Sequence, residues 1–72
     1  MERIPIVVYP PSPEGGRRVR ADGEVLGVAR DTADVAEFLR RAGLEGVDAE
    51  DVGRSPLIEW RGGGPEAWPT PW

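Results

Sequence analysis

Apolar positions in this chain follow two different spacings, and each spacing predicts an element. From Ile4 to Tyr9 the residues are almost all β-branched or aromatic, and the run stops at Pro10-Pro11, as a strand does. Pro5 has no N–H to give to a ladder, so the strand starts there or lies at a sheet edge. Alternation puts Ile4, Ile6 and Val8 on one side and Val7 and Tyr9 on the other. Both sides are apolar, so both call for a cover, and a second copy of the chain would supply one.

After a Pro- and Gly-rich connection (Pro10–Gly16), Arg17–Ala21 and Glu24–Val28 flank Asp22-Gly23, the dipeptide favoured in two-residue hairpin loops. A type I′ loop there sets Val19 opposite Leu26 and Arg17 opposite Val28. Val19, Ala21, Leu26 and Val28 then share one face, with Arg18, Arg20 and Val25 on the other. A three-residue loop with Gly23 as a bulge would move Leu26 and Val28 to the arginine face. The first register separates charge from apolar surface better and is preferred.

The period then changes. Val35, Phe38, Leu39 and Ala42 fall at i, i+3, i+4 and i+7, the stripe of an amphipathic helix. Asp31 is its N-cap, and Asp34 suits the positive first turn. Glu37 and Arg41 pair on the wet side. Gly43 closes the helix in a Schellman ending that returns Leu44 to Leu39. Asp48–Val52 predicts one further helical turn, capped by Asp48 with a Val47–Val52 staple. Leu57–Arg61 predicts a last short strand with Ile58 and Trp60 inward and Glu59 outward. Gly62–Gly64 ends it, and no internal repeat is present.

The order β-β-β-α-β predicts a small α+β domain over residues 1–64. Its antiparallel sheet has three to four strands, with one helix packed on one face. Residues 65–72 form a Pro/Trp-rich C-terminal tail. With 72 residues the chain holds one core at most. Gly and Pro make up a quarter of it, crowded at Pro10–Gly16 and Gly62–Pro71, so the middle folds and the flanks are loops.

Composition narrows the chemistry. All nine basic residues are arginine, against thirteen carboxylates, for a net charge of -4. Lysine, histidine, cysteine, asparagine and glutamine are absent. That removes the imidazole base, the thiolate nucleophile, the Schiff-base amine and soft metal ligands. No serine sits in a nucleophile elbow, and the glycine runs lack the Lys-Ser/Thr of a phosphate loop. Asp48, Glu50 and Asp51 match no calcium loop and read as a solvated turn. No enzyme, cofactor or metal is expected. No apolar run approaches a membrane span or a signal-peptide core, so a cytoplasmic protein without membrane attachment is expected.

Two features remain for binding. Arg17, Arg18 and Arg20 form the densest positive cluster, suited to phosphate, carboxylate or nucleic acid. The plainer alternative is a solvated strand face paired with Glu24 or helix carboxylates. Trp60, Trp68 and Trp72 outnumber the other aromatics, and tryptophan is enriched at interface hot spots. Trp68-Pro69-Thr70-Pro71-Trp72 is stiff and suited to a groove. The alternative has Trp60 in the core and the tail folded over its own sheet.

The stretches GGRRVRADGEVLG, EFLRRAGL and SPLIEWRGGGPEAW, with the lysine-free, all-arginine composition, resemble small proteins of high-GC actinobacteria. The resemblance spans most of Ile4–Trp68 and implies neither an activity nor a functional residue.

The expectation is a non-catalytic protein–protein interaction module, self-associating or docking on a larger partner. Its contacts are an open sheet face (Tyr9, Arg18, Arg20, Val25) and the tryptophans Trp60, Trp68 and Trp72. The alternative is a small regulator that binds nucleic acid or phosphate through the Arg17/Arg18/Arg20 hairpin. Overall acidity weighs against nucleic acid.

Overall fold

A computed structural model describes residues 6–44 and 46–68. Its elements are β1 (Ile6–Pro11), β2 (Arg17–Ala21), β3 (Glu24–Ala29), α1 (Thr32–Arg41), α2 (Ala49–Val52) and β4 (Ile58–Trp60). The four strands form one sheet in the order β3-β2-β1-β4. This is the small α+β fold expected from the pattern, with α1 packed on one side of the sheet.

The sheet is mixed, and in this it departs from the all-antiparallel arrangement. β2 pairs antiparallel with β1 and β3, but β4 runs parallel to β1. The cause is the connection. β3 returns through α1 and α2 before β4 begins, and a helical crossover brings the chain back to start its next strand in the same direction. β1 also runs past Tyr9 through Pro10 and Pro11. It can do so because β4 ends opposite Val8, so the prolines have a ladder partner on one side only. Ile4 and Pro5 lie outside the described residues.

Asp22 and Gly23 both have positive φ, 53° and 84°, as the two-residue type I′ loop requires. The register beyond it is corrected. Arg20 lies opposite Val25 but Val19 lies opposite Gly27, and Arg17 faces Ala29 rather than Val28. Leu26 is the extra residue of a bulge. The bulge leaves Leu26 packed against the core and turns Val28 outward, 54% exposed and opposite Arg18. Gly27 makes this possible. Its φ is +152°, and a Cβ there would stand 2.8 Å from the tip of the Phe38 ring. The helix reaches the sheet through that gap.

The core lies on the helix side: Ile6, Val8, Val19, Ala21, Ala29, Val35, Ala36, Leu39, Val52 and Ile58. α1 is capped as its sequence dictates. Asp31 Oδ1 accepts from the Asp34 N–H at 2.9 Å, and Asp34 Oδ2 accepts from the Arg30 N–H at 3.0 Å. At the other end the Leu44 N–H donates to Leu39 O and the Gly43 N–H to Arg40 O, a Schellman closure. Glu37 and Arg41 pair at 2.8 Å. Asp51 Oδ2 accepts from the Asp48 N–H at the start of α2.

One charged residue joins the core. Arg17, in line with Val19 and Ala21 on β2, is fully buried. All five of its N–H groups reach backbone carbonyls. Nε donates to Tyr9 O at 2.8 Å, Nη1 to Gly64 O at 2.7 Å and Ala67 O at 2.8 Å, and Nη2 to Arg61 O and Gly63 O, both at 2.9 Å. Its guanidinium carbon lies 5.3 Å from the Trp60 ring centre and 5.4 Å from that of Trp68. The two indoles meet edge to face. Arg17 therefore fastens the segment after β4 to the end of the sheet, and residues 65–68 pack into the domain rather than trailing from it.

Candidate functional site

The sheet face opposite the helices has no element over it among the described residues. Alternation supplies its residues. On β2, Arg18 and Arg20 point away from the core that Arg17, Val19 and Ala21 enter. On β1 the outward positions are Val7 and Tyr9, and on β4 the outward position is Glu59. On β3 the bulge leaves Val25 and Val28 outward, 57% and 54% exposed. One row across the strands reads Val25, Arg20, Val7, Glu59. Val28, Arg18 and Tyr9 follow on the Arg17 side. Aliphatic groups and guanidiniums alternate over the face.

The charges are unevenly satisfied. Arg20 Nη2 donates to Gly23 O at 2.7 Å, and its Nη1 lies 3.5 Å from the Tyr9 hydroxyl. Arg20 Nε is buried with no acceptor among the described residues. Neither Arg18 nor Arg20 forms an ion pair with a described carboxylate, so the pairing with Glu24 or the helices does not occur. Arg61 does have a partner. Its Nε lies 2.6 Å from Glu59 Oε2, and this hydrogen bond, with the charge of Glu59, raises the Arg61 pKa. The Arg61 guanidinium also lies over the Tyr9 ring at 5.5 Å. Tyr9 is thus held between Arg61 at its ring and Arg20 near its hydroxyl.

The other sequence-derived candidates lie elsewhere. Arg17 does not belong to the surface cluster with Arg18 and Arg20. Burial lowers its pKa, and the charge of Glu66 partly opposes that shift. Its sequestration follows from strand alternation together with a supply of carbonyls that no local pattern reveals. Trp60 and Trp68 are half-buried against Arg17 and the core, and Trp68 Nε1 donates to Pro65 O at 2.6 Å. They stand on the helix side, away from the open face. Trp72 lies outside the described residues. The open-face residue missed in sequence is Val28, whose sidedness depends on the bulge, and Arg61 is the second.

On the helix side a shallow groove of about 330 Å³ is lined by Ala21, Leu26, Phe38 and Ala42, with Asp22, Glu24 and Arg41 among its polar residues. Among the described residues no three His, Cys, Asp or Glu side chains cluster as a metal site. No described helix is long and apolar enough to cross a membrane.

No family model, curated protein or solved structure matches this chain.

Proposed function

We propose that the chain is a non-catalytic, cytoplasmic binding module that docks a protein partner on its open sheet face. The observation carrying this reading is the pair Val25 and Val28, each more than half exposed on the face that no described helix covers. They are interleaved with Arg18, Arg20, Val7 and Tyr9. Aliphatic side chains set among arginines and a tyrosine match the make-up of interface centres, where Arg and Tyr are enriched. A small domain that leaves such a surface uncovered forgoes stability there, and the gain returns when a partner covers it. Trp60 and Trp68 support the reading indirectly, by stiffening the end of the sheet through Arg17.

The experiment compares what the wild-type protein and a Val25→Ser/Val28→Ser variant retain from lysate, with circular dichroism to check the fold. A species held by the wild type and lost from the folded variant supports docking on the face. Identical retention by both proteins removes it.

The second reading, nucleic-acid or phosphate binding, draws on Arg18 and Arg20, which no described carboxylate neutralises. It is weaker than the sequence suggested because Arg17 is spent on backbone carbonyls.

A further inference from the structure

The open face is basic on a molecule that is otherwise acidic. Among the described residues it carries the guanidiniums of Arg18, Arg20 and Arg61 against the single carboxylate of Glu59, and Glu59 is already taken by Arg61. The helix side carries Asp31, Asp34 and Glu37 along α1 and Asp48, Glu50 and Asp51 around α2. We propose that the partner is an acidic protein segment with aliphatic side chains between its carboxylates, and that the face does not pair with a second copy of itself. This rests on the reading that the face is the docking surface.

Three observations select that occupant. Arg18 has no carboxylate partner among the described residues, and Arg20 is held only by the Gly23 carbonyl and, at 3.5 Å, the Tyr9 hydroxyl, so the face carries two guanidinium charges that no described carboxylate neutralises. A two-fold dimer through this face would set one net-basic patch against an identical one, because an isologous interface repeats one surface. Stacking the face on another copy's acidic helices would be head to tail, giving a ring or an open chain of copies and not a two-fold dimer. Nucleic acid also brings anionic oxygen, but the apolar positions here are valines, which offer a base no stacking platform. The one aromatic ring on the face among the described residues, Tyr9, already has Arg61 over it. Valines between arginines instead complement aliphatic groups between carboxylates.

The test is an NMR titration of the intact chain with three probes: a short peptide alternating Glu with Val and Leu, the same peptide with Lys for Glu, and oligo-dT of similar length. The acidic peptide is expected to shift the Val7, Val25 and Val28 methyls and the Arg18 and Arg20 Nε–H signals. Its affinity should fall about tenfold on raising salt and on Arg18→Glu/Arg20→Glu, with the spectrum elsewhere unchanged. Equal or stronger binding of the lysine peptide at the same methyls overturns the acidic partner and leaves the docking face standing. Oligo-dT binding there in preference to the acidic peptide overturns it in favour of nucleic acid. Concentration-dependent shifts of the same methyls in the unliganded protein, with sedimentation as a dimer, overturn it in favour of self-association. If no probe moves the face and the protein stays monomeric, the inference and the docking face fall together.

Discussion

Arg17 and Arg18 are neighbours on one strand, carry the same side chain, and have opposite fates. Arg17 is sealed in the sheet's core end with five carbonyls and two indoles around it. Arg18 stands in solvent on the other face without an ion pair among the described residues. Taking a guanidinium out of water costs several kcal/mol, so burial is tolerated only where every donor is met. Here the carbonyls of Tyr9, Arg61, Gly63, Gly64 and Ala67 meet them. The backbone can present them because Gly62 and Gly63 take positive φ, 75° and 127°. The contrast teaches that the charge of an arginine does not decide its side of a sheet. The supply of fixed acceptors does. The end of the sheet with such a supply is closed and holds the fold, and the face without one is open.

Removing Arg17 should break this comparison most severely. Arg17→Met leaves five carbonyls without their donor and two indoles without their cation, and should cost about 3–5 kcal/mol in urea unfolding. In a domain this small that is most of the stability. Arg17→Lys keeps the charge but loses the planar fork and two donors, and should still cost about 2 kcal/mol, with altered tryptophan fluorescence. Gly27→Ala drives a methyl into Phe38 at a positive φ and should cost about 1–3 kcal/mol by the same assay. Asp31→Ala removes the cap of α1 and should cost about 1 kcal/mol. The outer face should respond least. Arg18→Ser and Val28→Ser should each change stability by less than about 0.5 kcal/mol, because neither side chain is buried. If Arg18→Ser proved as damaging as Arg17→Met, the distinction between the closed end and the open face would be lost.

What was legible in the sequence is what neighbouring residues decide. The Asp22-Gly23 loop, the Asp31 cap, the Gly43–Leu44 closure and the turn at Asp48 all depend on contacts a few residues apart. They stand in the structure where the pattern put them. What was not legible depends on distant partners. The Arg17 acceptors after β4 lie 44 to 50 positions away in sequence. The glycines that present them read locally only as the end of the last strand. The bulge at Leu26 sits beside Gly27, where Phe38 packs close across the helix–sheet interface, and it reverses the side on which Val28 stands. The parallel course of β4 follows from where the crossover delivers it. On the open face Arg18, Arg20, Val25 and Tyr9 followed from alternation alone. One signal for Arg17 was present as well: it alternates with Val19 and Ala21, and so belongs on their side.

The most direct measurement is hydrogen exchange at the arginine Nε–H groups, resolved by NMR in the intact chain. The Arg17 Nε–H, held by Tyr9 O inside the protein, should exchange slowly, at a rate tied to unfolding, while the Arg18 Nε–H exchanges at the rate of free arginine. Matching fast rates for the two would contradict the account, since Arg17 would then share the solvent that Arg18 faces.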